Sequence, residues 1–305
     1  MVTEKPWKAD AIIRLGLGVI VCVFAGSIAT SLQHYFSAPT RANPVLVVSL
    51  SAMTFGALAV TLLLIRKPWP HETFMRRLMI LVVCAYGGLF VGTWVQHLSG
   101  VESASTSIWN LALASLSFQG AALVLIAFFL REHRIGWGAA FGFADHPRRA
   151  LISGMLIAIV LFFLGWGLQE ASAFVITHLP GLKMEPQEQL PVRVLRVSMS
   201  WAGRSVFGVT AVVLAPLAEE MLFRGILYPG VKQAGYPRLA LWGSALLFAA
   251  VHMNAVTFVP LAVMALVLTG LYEWTDNLLA TITAHSLFNL FNLVLLIRQE
   301  QLSGI

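Results

Sequence analysis

The sequence predicts an all-α fold: a polytopic integral membrane protein built as a helical bundle of about eight or nine transmembrane helices. Of its 305 residues, 58% are hydrophobic and 11% are charged, whereas soluble domains carry about 25% charged residues. The mean hydropathy is +0.80, and the apolar residues fall in runs of about 20, the length of a helix that crosses a bilayer. These observations exclude an ordinary soluble protein.

Nine apolar runs are candidate spans, and turn-forming residues separate most of them. The first run has no clear cleavage site at its end, so we expect a retained helix rather than a secretory signal. The expected spans are 11–32, 45–65, 76–96, 107–130, 150–172, 205–228, 238–256, 257–273 and 277–297. The basic stretch 131–149 is predicted to be a cytoplasmic connector. It divides the chain into an N-terminal four-helix membrane region with this connector, 1–149, and a second membrane region, 150–305.

The distribution of basic residues predicts the topology. When Lys and Arg are counted by alternate loops, thirteen of the 20 fall on the side of the N-terminus, six on the other side, and Arg224 in a span. The positive-inside rule therefore places the N-terminus in the cytoplasm, and nine spans place the C-terminus outside. The net charge of +6 thus reflects topology and not a nucleic-acid partner. The segment 181–204 is open to two interpretations, an interfacial helix or a solvated loop.

The sixth expected span contains two adjacent carboxylates, Glu219 and Glu220, and an arginine, Arg224. Ionisable side chains are costly in a bilayer and usually face a protein interior or a water-filled cavity, where they have a function. Glu220 and Arg224 are four residues apart with the acid first, the favourable order for an ion pair on one helix face. Glu219 points in a different direction from this ion pair, so its carboxylate is available as a catalytic group. Pro216 removes one helical hydrogen bond beside this cluster.

Two histidines follow this cluster in apolar stretches. Only His252 and His285, of the eight histidines, sit well inside such runs. Asn289 lies four residues after His285, so one helix face carries an imidazole and an amide, and Phe248 is placed in the same way relative to His252. At about 1.5 Å per residue, Glu219 and the two histidines reach similar depths. The order of these depths favours a cavity open to the cytoplasmic side.

The chemistry that fits this set is hydrolysis of an amide by water. A carboxylate helped by a histidine takes a proton from water, and hydrogen-bond donors stabilise the oxyanion. His285 and Asn289 are placed to be those donors. Other protease chemistries find little support, because the sequence has no His-Glu-x-x-His zinc helix and its aspartates lie at loops or span edges. A serine-type Gly-x-Ser-Gly motif needs a Gly two residues before the Ser, and none of the Ser-Gly pairs in the sequence has one.

Three motifs on successive apolar runs resemble the signature of the type II CAAX prenyl endopeptidases and their bacterial relatives, the CPBP intramembrane proteases, also called the Abi family. The motifs are Glu219-Glu220-x-x-x-Arg224, Phe248-x-x-x-His252 and His285-x-x-x-Asn289. The resemblance covers roughly 150–297, and it makes 150–305 a CPBP-type catalytic core.

This resemblance implies the activity and the roles of the residues. In the family, Glu219 and His252 would activate water, and His285 with Asn289 would hold the oxyanion. The substrate would be a peptide or protein tail, with or without a lipid group, cut near the surface of the membrane and among its lipids. The resemblance also implies a protein of the cytoplasmic (plasma) membrane of a prokaryote.

Three alternatives stay open at this point. Older descriptions of the family treat its members as metalloproteases, and Glu219, His252 and His285 would supply three zinc ligands with an open fourth position. We expect no metal or other cofactor, because Asn289 beside His285 suits oxyanion binding better. A proton-coupled transporter would use a similar Glu/His cluster, although transporters often carry internal repeats and none is found here. A non-proteolytic scaffold or bacteriocin-immunity-type protein of the same fold would not need the intact polar set.

Overall fold

The computed structural model describes residues 3–36, 115–178, 201–252 and 254–303. Within these ranges the chain forms helices and turns and no strand, which confirms the predicted helical membrane bundle. Two expected spans, 45–65 and 76–96, lie outside the described residues, as does most of the segment 181–204.

Contacts divide the chain into two compact units. We call Trp7–Arg134 the N-terminal unit, and Met1–Pro6 with Ile135–Ile305 the C-terminal unit. The expected division into 1–149 and 150–305 stays a prediction.

In the N-terminal unit, α1 is Ala9–Phe36, and α2 is Ala121–Glu132, which continues a π-helical turn. Arg14 is only 2% exposed and joins the two helices. Its Nη2 atom lies 2.6 Å from Oε1 of Glu132 and 2.9 Å from Oδ2 of Asp10. An arginine in an apolar span needs such partners, because an unpaired charge there is costly.

The C-terminal unit contains the remaining described helices. They are α3 Trp137–Phe141, α4 Pro147–His178, α5 Trp201–Val209, α6 Ala215–Glu220, α7 Tyr228–Gln233, α8 Pro237–Ala250, α9 Ala255–Thr275 and α10 Leu278–Ser303. The π-helical segments Thr210–Leu214 and Met221–Leu227 join α5, α6 and α7 without a break. We call this continuous stretch the segmented helix.

Among the described residues, five helices are long and apolar enough to cross a membrane. They are Ala9–Thr30, Pro147–His178, Gly203–Gln233, Ala255–Thr275 and Leu278–Gln299. These correspond to the first, fifth, sixth, eighth and ninth expected spans. The eighth was expected at 257–273, and its helix extends beyond both ends of this range, with 21 residues. The fourth, 107–130, is described only in its second half, where α2 ends at Glu132.

The seventh expected span, 238–256, was wrong at its end. Helix α8 stops at Ala250, after 14 residues, and His252 lies in the turn that follows. Asn254 has an extended backbone, and its side chain accepts a hydrogen bond from the backbone N–H of Thr257, so it caps the start of α9. Asn is a preferred N-cap residue, so the sequence contained this signal.

The core of the C-terminal unit lies between α4, α8, α9, α10 and the segmented helix. Phe248 of α8 is fully buried at its centre, with Leu268 of α9 and Ala284 of α10 in the same apolar cluster. Helices α4 and α10 approach closely at Gly154, where a Cβ atom would come within 2.6 Å of the carbonyl oxygen of Ala280. This close packing fixes the position of α10, which carries two of the predicted site residues.

The first residues of the chain also pack on the C-terminal unit. The backbone N–H of Thr3 donates to Oδ2 of Asp276, and Nζ of Lys5 lies 3.8 Å from Oδ1 of the same residue. Burial lowers the pKa of the Lys5 ammonium, while Asp276 acts in the opposite direction. Asp276 has a left-handed backbone and caps the C-terminal end of α9. The contacts of Thr3 and Lys5 therefore attach the N-terminal residues to the turn between α9 and α10.

Candidate active site

The segmented helix positions the two carboxylates. Glu219 and Glu220 are the last residues of α6 and lie between two π-helical segments. Short π-helical insertions widen an α-helix, and they occur frequently at functional sites. Both side chains are buried, with exposed fractions of 8% and 0%. The pair therefore faces the interior of the bundle, as the sequence indicated.

Glu220 and Arg224 form the predicted ion pair. Nη1 of Arg224 lies 2.8 Å from Oε1 of Glu220, and the arginine is 2% exposed. Nη2 of Arg224 also donates to the carbonyl oxygen of Ala265 in α9, at 3.2 Å. The guanidinium carbon lies 4.6 Å from the ring centre of Phe248 in α8, a cation–π distance. Arg224 thus ties the segmented helix to two neighbouring helices.

His285 lies between the two carboxylates. Its Nδ1 atom is 2.9 Å from Oε1 of Glu220, and its Nε2 atom is 3.9 Å from Oε2 of Glu219. An ionised carboxylate can only accept a hydrogen bond, so Nδ1 donates and carries a proton. His285 was expected to hold the oxyanion, and its bond to Glu220 was not predicted. No sequence signal reports this contact, since the two residues are 65 positions apart.

His252 reaches the site from the turn after α8. Its Nδ1 atom donates to the carbonyl oxygen of Phe248, at 2.7 Å, which leaves Nε2 as the second ring nitrogen. The imidazole is partly exposed and lies within electrostatic range of Glu219. Because His252 follows the end of the helix, its position depends on the turn and not on a helix face.

Phe248 is the aromatic centre of the site. Its ring lies 5.0 Å from the ring of His252, which confirms the expected proximity, and 5.9 Å from the ring of His285. The ring of Phe223 meets it edge-on at 5.2 Å. One buried phenyl ring therefore contacts both imidazoles and the guanidinium of Arg224. These polar groups are thus packed against an apolar side chain.

Asn289 contacts the segmented helix one turn away from His285. Its Nδ2 atom donates to the carbonyl oxygen of Ala211, at 2.8 Å. In the π-helical pattern the N–H of Ala215 donates to the carbonyl of Thr210, five residues back. The next residue, Pro216, has no N–H to give to Ala211. The proline thus frees a carbonyl beside the site, and the asparagine amide, which has a second N–H, satisfies it.

The zinc alternative would use Glu219, His252 and His285 as ligands. Within the described residues, no three His, Cys, Asp or Glu side chains come together in a group that could hold a metal ion. Catalytic zinc sites use three protein ligands and an open fourth position. The metal-free reaction stays a prediction.

Comparisons with known proteins agree with the motifs. Residues 199–291 match a family described as type II CAAX prenyl endopeptidase Rce1-like, and this segment contains all six predicted site residues. The Bacillus subtilis (strain 168) protein named "Uncharacterized protein YpbD" is 36% identical over 77 residues, which are 24% of this chain and 36% of that protein. The chain therefore spans about a third of this relative. No solved structure gives a significant match.

The family inferred from the three motifs is thus confirmed over residues 199–291. The match covers the segment that contains the two carboxylates, both histidines and Asn289. Together with the apolar helices, it identifies an integral membrane protein.

Proposed function

On the basis of the family match over residues 199–291, we propose that this chain is an intramembrane endopeptidase. It would hydrolyse a peptide bond with water activated at Glu219. The observation that supports this most is the unequal use of the two carboxylates. Glu220 is bound by Arg224 and His285 at 2.8 and 2.9 Å. Glu219 is left with a longer contact, 3.9 Å to Nε2 of His285. A carboxylate without a short ion pair or hydrogen bond to the protein is the better candidate for a general base.

The first step is attack by water. A water molecule near Glu219 donates a hydrogen bond to its carboxylate, and His252, within electrostatic range, helps to orient that water. As the water oxygen bonds to the carbonyl carbon of the substrate, Glu219 takes one proton. The same proton passes to the amide nitrogen as the C–N bond breaks, which releases an amine and a carboxylic acid.

The second requirement is stabilisation of the oxyanion. His285 and Asn289 lie one helical turn apart, and both face the segmented helix. The Nδ1 proton of His285 is held by Glu220, so Nε2 would donate to the oxyanion in the form of the ring that carries a proton on both nitrogens. The second N–H of Asn289 would be the other donor. Glu220 and the Ala211 carbonyl thereby act as orienting groups for the two donors.

The setting of this reaction is part of the proposal. The substrate is a peptide or protein tail, with or without a lipid group, and no metal takes part. The excess of basic residues in the loops on one side favours an N-terminus in the cytoplasm. We propose the plasma membrane of a prokaryote as the location.

Replacement of Glu219 by Gln tests the proposal. Gln keeps the size of the side chain and removes the base, so we expect cleavage of a peptide library by the purified protein to fall by a factor of about 10²–10⁴. Glu170, an exposed carboxylate on α4, provides a matched control as Glu170→Gln. Circular dichroism and thermal unfolding would verify that both variants fold.

Two outcomes would contradict the proposal. Near-normal turnover by a folded Glu219→Gln protein would remove Glu219 as the base. A wild-type protein that cleaves no peptide in the library would favour a scaffold, an immunity-type protein or a transporter.

A further inference from the structure

A groove lies away from the active site, where α7, α8 and α9 meet. Its volume is about 630 Å³, and its lining includes Tyr228, Lys232, Arg238, Trp242, Leu266 and Gly270. None of these residues belongs to the carboxylate and histidine cluster, so the groove requires an explanation of its own.

The mouth of the groove carries an excess of positive charge. Nζ of Lys232 is held by Glu273 and lies 5.6 Å from the ring centre of Tyr228, whose hydroxyl also donates to Glu273. Arg238 is exposed in the first turn of α8. The groove is thus lined by two cations, Lys232 and Arg238, and by one carboxylate, Glu273. Glu273 and Tyr228 hold Lys232 in position.

The groove becomes apolar with depth. Arg238, Leu241 and Trp242 are spaced three and four apart, so they share one face of α8. Leu266 lies nine residues before the end of α9, which is about 14 Å along the helix. Trp242 is 55% exposed, and tryptophan is enriched where the membrane meets water. The groove therefore runs from a charged mouth into the hydrocarbon part of a span.

Gly270 keeps the groove open. It is exposed five residues before the end of α9, and no atom lies within 4 Å of the position that a Cβ would take. Glycine inside a helix costs about 1 kcal/mol relative to alanine, and here no close approach within the described residues requires it. The missing side chain leaves space for a chain-like ligand along the helix.

We propose that this groove binds a phospholipid with an anionic headgroup. The phosphate lies between Lys232 and Arg238, and an acyl chain follows Leu241 and Leu266 over Gly270. Charge complementarity and the apolar depth select this ligand over a soluble anion. The groove lies at the ends of α7 and α9, beside the loop that carries the basic residues predicted to be cytoplasmic, and anionic lipids are abundant in the cytoplasmic leaflet.

Native mass spectrometry of the full-length protein in detergent tests this site. We expect phosphatidylglycerol to bind more tightly than phosphatidylcholine, and inorganic phosphate not to displace it. Arg238→Gln should weaken phosphatidylglycerol binding by about fivefold, the effect of one basic residue near an anionic lipid. Gly270→Leu should weaken binding of both lipids, because the leucine side chain fills the groove.

Two matched controls use residues of the same unit. Arg148→Gln removes an exposed charge near the start of α4, and Gly167→Leu adds a side chain at another exposed helical glycine with open space around it; neither should change lipid binding. Equal binding of the two lipids, or unchanged phosphatidylglycerol binding in Arg238→Gln, would overturn the proposal. Full displacement by inorganic phosphate would also overturn it, since the site would then recognise only the anion.

Discussion

Arg224 is held by contacts with three helices, and its replacement by Met separates the contribution of its charge from that of its packing. Methionine is long and flexible, so it can still cover the ring of Phe248. It cannot pair with Glu220 or donate to the carbonyl of Ala265, which the arginine does at 2.8 and 3.2 Å. The variant therefore leaves a carboxylate with no exposed surface and with His285 as its remaining strong partner.

The expected loss follows from the burial of the pair. Removal of one partner from a buried salt bridge costs about 3–5 kcal/mol, because the other charge stays behind without compensation. For a domain of 150–250 residues, each kcal/mol lowers Tm by about 2–4 °C, so Arg224→Met should lower Tm by about 6–20 °C. Replacement of both partners removes the isolated charge. The double variant Glu220→Gln/Arg224→Met should therefore recover at least about half of this loss.

Thermal unfolding of the purified protein in detergent, followed by tryptophan fluorescence, measures these differences. Arg148→Gln, which removes an exposed charge in the same unit, should leave Tm nearly unchanged. A single Arg224→Met variant as stable as wild type would refute the structural role of the pair. A double variant less stable than the single variant would show that the isolated charge is not the source of the loss.

The remaining predictions concern the oxyanion, a glycine and the topology. Asn289→Ala should lower kcat by about 10²–10³ with KM nearly unchanged, and steady-state kinetics would contradict the oxyanion role if only KM rose. Gly142→Ala should destabilise the protein by about 1–3 kcal/mol. Gly142 has a φ of +71°, and an added Cβ would lie 2.3 Å from the carbonyl oxygen of Asp276. An unchanged Tm would contradict this prediction and show that the loop adapts. Cysteines introduced in the loop 66–77 should react with impermeant reagents only after cell lysis, and labelling of intact cells would reverse the predicted topology.

Features that depend on composition or on nearby residues could be predicted from the sequence. The apolar runs predicted a helical membrane bundle, because a bilayer requires about 20 apolar residues for each crossing. The spacing of Glu220 and Arg224 predicted their ion pair, since residues four apart share a helix face. The same rule predicted that Phe248 lies near His252. The three motifs also identified the family, which the match over residues 199–291 confirms.

The end of α8 was a local feature that sequence analysis missed. The apolar run continues beyond Ala250, and hydropathy alone extended the expected span to 256. The capping geometry of Asn254 starts a new helix there, so His252 reaches the site from a turn. Asn is a preferred N-cap residue, so the boundary has a local signal in the sequence.

Contacts between distant parts of the chain were decided only by the tertiary structure. His285 meets both carboxylates, and Asn289 meets the carbonyl of Ala211, because α10 packs between α4 and the segmented helix. Rotation of one helix against another depends on side chains along both helices, and spacing within a single helix does not specify it. The sequence alone therefore determined which polar residues enter the bundle. The packing of the helices determined that Glu220 is held by Arg224 and His285, while Glu219 is not.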